Sequence, residues 1–124
     1  MKRLPDAELS VMLVIWHGDQ PMTAKDILHH LDEKKWHIAT LNKLLSRLIE
    51  KNFIKPVTKG RPRKYGCLVK EDDYKIQESQ SFFEKLHKNS FGSLVTSLFG
   101  DKGLSEEDIK EIESFVLSKK DGEQ

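Results

Sequence analysis

Apolar and polar positions along the chain repeat with two different periods. In "PDAELSVMLVIWHG", Leu9, Met12, Leu13 and Trp16 recur at helical spacing, with Asp6 as N-cap and Gly18 as a stop. In "MTAKDILHHLDEKK", Ala24, Ile27, Leu28 and Leu31 form an apolar stripe. Thr23 is placed as its cap and Asp26 three positions on, as in a capping box. In "HIATLNKLLSRLIEKN", Leu41, Leu44, Leu45, Leu48 and Ile49 share one face, and Asn52 suits the C-cap. These stretches predict three helices.

The period then shortens. "FIKPVTKGRPRKYGCLV" carries Phe53, Ile54, Val57, Tyr65, Cys67, Leu68 and Val69 around a Lys59-Gly60 turn, the pattern of a hairpin. Pro56 lacks a ladder donor and belongs on an edge strand. Helical periodicity returns over about residues 71–87 and 90–99. After a loop from Gly100 to Gly103 comes a last helix, capped by Ser105 with Asp108 at its third position. The order is helix, helix, helix, hairpin, then three helices. It predicts a mainly α fold: a winged helix-turn-helix over residues 1–70, followed by a helical domain over 71–124.

Charge changes this picture from a fold into a function. The chain has 124 residues and a net charge of only +1. Residues 1–70 nevertheless carry 14 Lys and Arg against 7 Asp and Glu, while residues 71–124 carry 7 against 13. The first half is therefore suited to a polyanion, and the second half to a different task. Within "RLIEKNFIKPVTKGRPRKYG", the run from Lys51 to Gly66 carries Lys51, Lys55, Lys59, Arg61, Arg63 and Lys64 with no acid among them. One cysteine, Cys67, excludes an intrachain disulfide and suits a reducing compartment. The start "MKRLPDAELS" lacks the apolar run of a signal peptide, and no stretch approaches the ~18 apolar residues that span a bilayer. A cytoplasmic protein without membrane insertion is expected.

Duplex DNA presents a phosphate about every 1.7 Å of its axis. A hairpin tip bearing Lys59, Arg61, Arg63 and Lys64 can reach several of them, with Gly60 and Pro62 shaping the tip. His37, Thr40, Asn42, Lys43 and Arg47 lie off the leucine face of the third helix. They are the candidates for base readout, since Asn matches adenine, Arg or Lys matches guanine, and the Thr methyl matches thymine. A solvated edge that resists aggregation is the plain alternative for the hairpin. Two other functional classes fit the same pattern: a non-specific nucleic-acid-binding architectural protein, and a winged-helix adaptor that binds protein.

The stretches "LPDAELSVMLVIW", "TAKDILHHL", "LLSRLIEKNFI" and "GRPRKYG" together resemble the penicillinase-repressor family, from Leu4 to about Lys120. The resemblance implies a cytoplasmic, homodimeric transcriptional repressor of β-lactam-resistance type genes. It implies an N-terminal winged helix on a palindromic operator and a C-terminal three-helix dimerisation domain. It puts Thr40, Lys43 and Arg47 on the DNA-facing side of the recognition helix and Arg61 on the wing. Release is expected to follow loss of the dimer: the resemblance implies cleavage by a membrane-anchored β-lactam sensor protease, with a ligand or another protease as the alternative trigger. The chain departs from the family at two places. The third helix opens with His37, Ile38, Ala39 and Thr40 where members often have Ser-x-Lys-Thr. The family's Asn-Phe cleavage bond falls here at Ser97-Leu98, where neither residue matches. The Cys-x-Cys pairs of the copper-responsive branch are absent.

His29, His30, Glu33 and His37 raise the idea of a metal site, but zinc needs convergent ligands, and adjacent helix positions diverge by about 100°. No metal or other cofactor is expected. Cys67 reads as a small apolar residue, and His17 as a cation at a helix C-terminus. Acids gather at helix starts, where they suit caps and dipoles, and no catalytic motif occurs, so no enzyme is expected. The second half is rich in apolar residues for its length. Phe82, Phe83, Leu86, Phe91, Leu94, Val95, Leu98, Ile109, Ile112, Phe115 and Val116 exceed what three short helices can enclose. A symmetric homodimer is the expected remedy.

Overall fold

The computed structural model describes residues 1–31 and 34–122, and the chain divides into two units, Met1–Gln80 and Ser81–Gln124. The first unit holds α1 (Asp6–His17), β1 (Met22–Thr23), α2 (Ala24–His29), α3 (Ile38–Glu50), β2 (Ile54–Pro56) and β3 (Lys64–Cys67). Helix α4 (Glu71–His87) begins in the first unit and ends in the second, which also holds α5 (Phe91–Phe99) and α6 (Glu106–Gly122). The fold is a winged helix with further helices, mainly helical as expected.

Helix α3 buries Leu41, Leu44, Leu45 and Leu48, the face its leucine spacing predicted. It ends as it does because of Asn52, which takes a left-handed φ of 63°. The Phe53 amide donates to the Leu48 carbonyl at 2.9 Å and the Asn52 amide to the Ile49 carbonyl at 3.0 Å. That is a Schellman closure with Asn in the place usually taken by Gly. It turns the chain so that Phe53 is fully buried in the core, one residue before β2.

Helix α1 departs from its predicted face. Val11, Met12 and Ile15 are buried, whereas Leu13 is 39% exposed. Residues 11–16 are all apolar, so the sequence carries no phase there. Asp6 is the first helical residue, not the cap, and Pro5 occupies the N-cap. The new phase buries Glu8 at 2% exposure, and Lys51 at the C-cap of α3 donates to its carboxylate at 2.6 Å. Lys51 therefore leaves the set of free wing cations and becomes a link between α1 and α3.

Helix α2 carries the predicted capping box. The Asp26 amide donates to Thr23 Oγ1 at 3.0 Å, and the Thr23 amide donates to the Asp26 carboxylate at 3.3 Å. The helix ends at His29, earlier than its apolar stripe suggested. Strand β1 has no counterpart in the sequence pattern. Its two residues pair with β3, Met22 opposite Tyr65 and Thr23 opposite Lys64, giving the sheet order β1-β3-β2. Pro56 lies on β2 at an edge of that sheet, as its missing donor requires.

The start of α4 belongs to the first unit because Tyr74 is buried in its core, with its ring edge on Phe53 at a centroid distance of 5.7 Å. Its hydroxyl accepts from the Leu4 amide at 2.9 Å. Trp16 Nε1 donates to the Val69 carbonyl at 2.8 Å, and His17 at the end of α1 meets Glu71 at 2.6 Å.

Removing the cation from a buried pair leaves an uncompensated charge. Lys51→Met is expected to cost about 3 kcal/mol in urea unfolding, and adding Glu8→Met should recover most of it. A single-variant loss well under ~1 kcal/mol would mean that solvent already screens the pair.

Candidate nucleic-acid interface

The wing is the β2–β3 hairpin. Ile54 pairs with Cys67, Lys55 with Gly66 and Pro56 with Tyr65. Beyond the ladder, the Val57 amide donates to the Lys64 carbonyl at 2.8 Å. Thr58 Oγ1 accepts from the Lys64 amide at 3.0 Å and so ties the base of the tip. Lys59, Arg61, Arg63 and Lys64 are all exposed, and among the described residues none has an acidic side chain within ion-pair distance. Gly60 lies in open space, where an added Cβ would meet nothing within 4 Å.

Two exposed stripes flank the buried face of α3. Ile38, Asn42 and Ser46 follow one another at four-residue intervals and form the stripe next to the wing. Thr40, Lys43 and Arg47 form the other, all exposed. His37 is the N-cap of α3, is exposed, and makes no side-chain capping bond. A groove of about 970 Å³ runs between helix and wing, lined by Asn42, Ser46, Lys59, Arg61, Arg63 and Tyr65 among others. Asn42 is thus brought together with the wing cations, whereas Thr40, Lys43 and Arg47 do not line that groove. Lys64 sits at the start of β3, opposite Thr23. Ser46 and Ile38 were not picked out from sequence. The signal was available, since both stand one turn from Asn42.

The electrostatics near the wing include one depressed carboxyl. Hydrogen bonding from Thr23, first through its side chain and then through its backbone N–H, holds Asp26 below its ordinary 3.8, with smaller help from His30 and Lys64. His30 Nδ1 donates to the Asp26 carbonyl at 2.8 Å, and the His29 and His30 rings stand edge to face. Among the described residues, no group of three or more His, Cys, Asp or Glu is placed to hold a metal ion, and Glu33 lies outside those residues. No described helix is long and apolar enough to cross a membrane.

In the second unit the proposed dimer surface is open. Phe82, Leu86, Phe91, Leu98, Ile109, Phe115 and Val116 are exposed, and Phe83, Leu94, Val95 and Ile112 are only half-buried. Among its described side chains the one buried residue is His87, whose Nδ1 lies 2.8 Å from Ser93 Oγ. Ser97 and Leu98, the positions of the family's cleavage bond, are exposed on the last turn of α5.

The family model described as penicillinase repressor matches residues 4–118. The methicillin resistance regulatory protein MecI of Staphylococcus aureus strain N315 is 32% identical over 118 residues, covering 94% of each chain. The penicillinase repressor of Bacillus licheniformis is 32% identical over 115 residues, covering 90% of each. The crystal structure of MepR, a transcription regulator of the Staphylococcus aureus multidrug efflux pump MepA, is 20% identical with a TM-score of 0.43. It covers 94% of this chain and 77% of that one, a likeness too loose to bear on function.

Replacing Arg61 and Arg63 by Ala should weaken binding to every duplex alike. It should lower the slope of log affinity against log salt by about 0.9 for each phosphate that is no longer neutralised, measured by fluorescence anisotropy. Thr23→Ala should return the Asp26 carboxyl towards 3.8 in an NMR titration. Because the folded-state value is depressed, the carboxylate's share of stability is present above pH 3.8 and fades as pH falls through the lower, folded-state value.

Proposed function

The chain belongs to the penicillinase repressor family, and from that premise we propose that it is a homodimeric transcriptional repressor. Members are repressors and not enzymes. The observation that carries the proposal is the groove in which Asn42 and Ser46 of α3 face Lys59, Arg61 and Arg63 of the wing. A polar helix face beside unpaired cations is what sequence readout with phosphate anchoring requires. In this reading α3 enters the major groove of a palindromic operator. His37, Thr40, Asn42, Lys43 and Arg47 meet base edges or nearby phosphates, and Lys59, Arg61, Arg63 and Lys64 grip the backbone.

The open apolar surface of the second unit supports the dimer. Phe91, Leu98 and Phe115 are each more than 60% exposed. A second copy covers such faces by two-fold symmetry. Two winged helices held one helical turn apart then read two half-sites, and the bound dimer occludes a promoter of β-lactam-resistance type genes in the cytoplasm. Release follows loss of the dimer, since one arm forfeits the linked second arm, about 10²–10⁴ in avidity. A membrane-anchored β-lactam sensor protease acting near Ser97-Leu98 would supply that release. It would have to unwind only the last turn of α5, where helices fray.

Phe82→Asp is expected to give monomers in sedimentation equilibrium and to weaken binding to the chain's own upstream promoter DNA by about 100-fold or more. A variant that stays dimeric and binds as tightly would contradict the assignment of this surface. Scrambled DNA that competes equally for the wild-type chain would contradict specific repression.

A further inference from the structure

We propose that Ile38 reads a thymine methyl group, so that each half-site of the bound DNA carries a thymine facing the leading end of α3. The inference rests on the repressor reading above and adds a specificity-determining residue to it. Ile38 is the first residue of α3 and is 44% exposed. It stands one turn ahead of Asn42 on the stripe that faces the wing. With Ala24, Leu28, Pro62 and Tyr65 it lines a shallow, largely apolar groove of about 520 Å³. Cationic and polar groups of Lys25, Asn42 and Arg63 line the same groove.

A branched apolar side chain held in water beside cations gains nothing from that position. It gains once an apolar group covers it. Cations beside the groove favour a polyanion as the occupant and disfavour a purely apolar partner. Along the major groove of a duplex, the base edges offer hydrogen-bonding atoms at every pair and one apolar feature, the C5 methyl of thymine. Phosphates bound by Lys25 and Arg63 would hold the base edges against Ile38.

The test uses the full chain and duplexes enriched from a random 30-base-pair pool. Each thymine of the enriched site is replaced in turn by deoxyuridine, which removes only the methyl group. Replacement at one position per half-site should weaken binding of the wild-type chain about four-fold. Ile38→Ala should bind the thymine and uracil duplexes equally, while Ile38→Val should keep most of the thymine preference. Ile38 is exposed, so neither variant disturbs the core, and circular dichroism checks that both fold. An enriched site at which uracil costs nothing, or an Ile38→Ala chain that still prefers thymine, overturns this proposal alone. A pool that yields no enriched sequence overturns the repressor reading and this proposal with it.

Discussion

The carboxylate of Glu8 has to be neutralised where it lies, and that requirement ties α3 to the rest of the first unit. Glu8 is buried on α1, and its charge partner is Lys51, at the end of α3. A buried carboxylate without a cation is so costly that α3 cannot slide or tilt far along α1 while the fold holds. The leucine face of α3 supplies the burial energy, but leucines tolerate small shifts, whereas a 2.6 Å ion pair does not. The Asn52 turn then sends the chain into β2 from a fixed point. The distance between the Asn42–Ser46 stripe and the wing cations follows from those two constraints.

The second unit follows a different logic. Its helices carry the caps that local sequence can provide, Ser90 at α5 and Ser105 before α6. Among its described residues the aromatic and aliphatic side chains are left exposed or only half-buried. In the proposed dimer, stability that the first unit takes from an internal core comes to the second from a partner, an arrangement that suits a domain of this size. Under that proposal DNA affinity is coupled to self-association, and weakening one would weaken the other.

Much of this was legible in the sequence, for local reasons. The capping box of Thr23 and Asp26 and the leucine face of α3 each depend on residues within a turn or two of one another. The cations Lys59, Arg61, Arg63 and Lys64 of the wing stand out because no acid interrupts them in the sequence. What was not legible depends on distant partners. Nothing near Glu8 announces its burial, since Lys51 is 43 residues away. Strand β1 exists only because β3 lies beside it. The all-apolar run of residues 11–16 hides the phase of α1, and Ser46 becomes a candidate only when the wing shows which stripe of α3 it faces.

The most direct measurement of a two-fold DNA-reading dimer is hydroxyl-radical footprinting of the full chain on its enriched duplex. The account predicts two protected segments related by a dyad, with centres one helical turn or a small multiple of it apart. A single protected segment without symmetry, or protection spread evenly along the duplex, would contradict it.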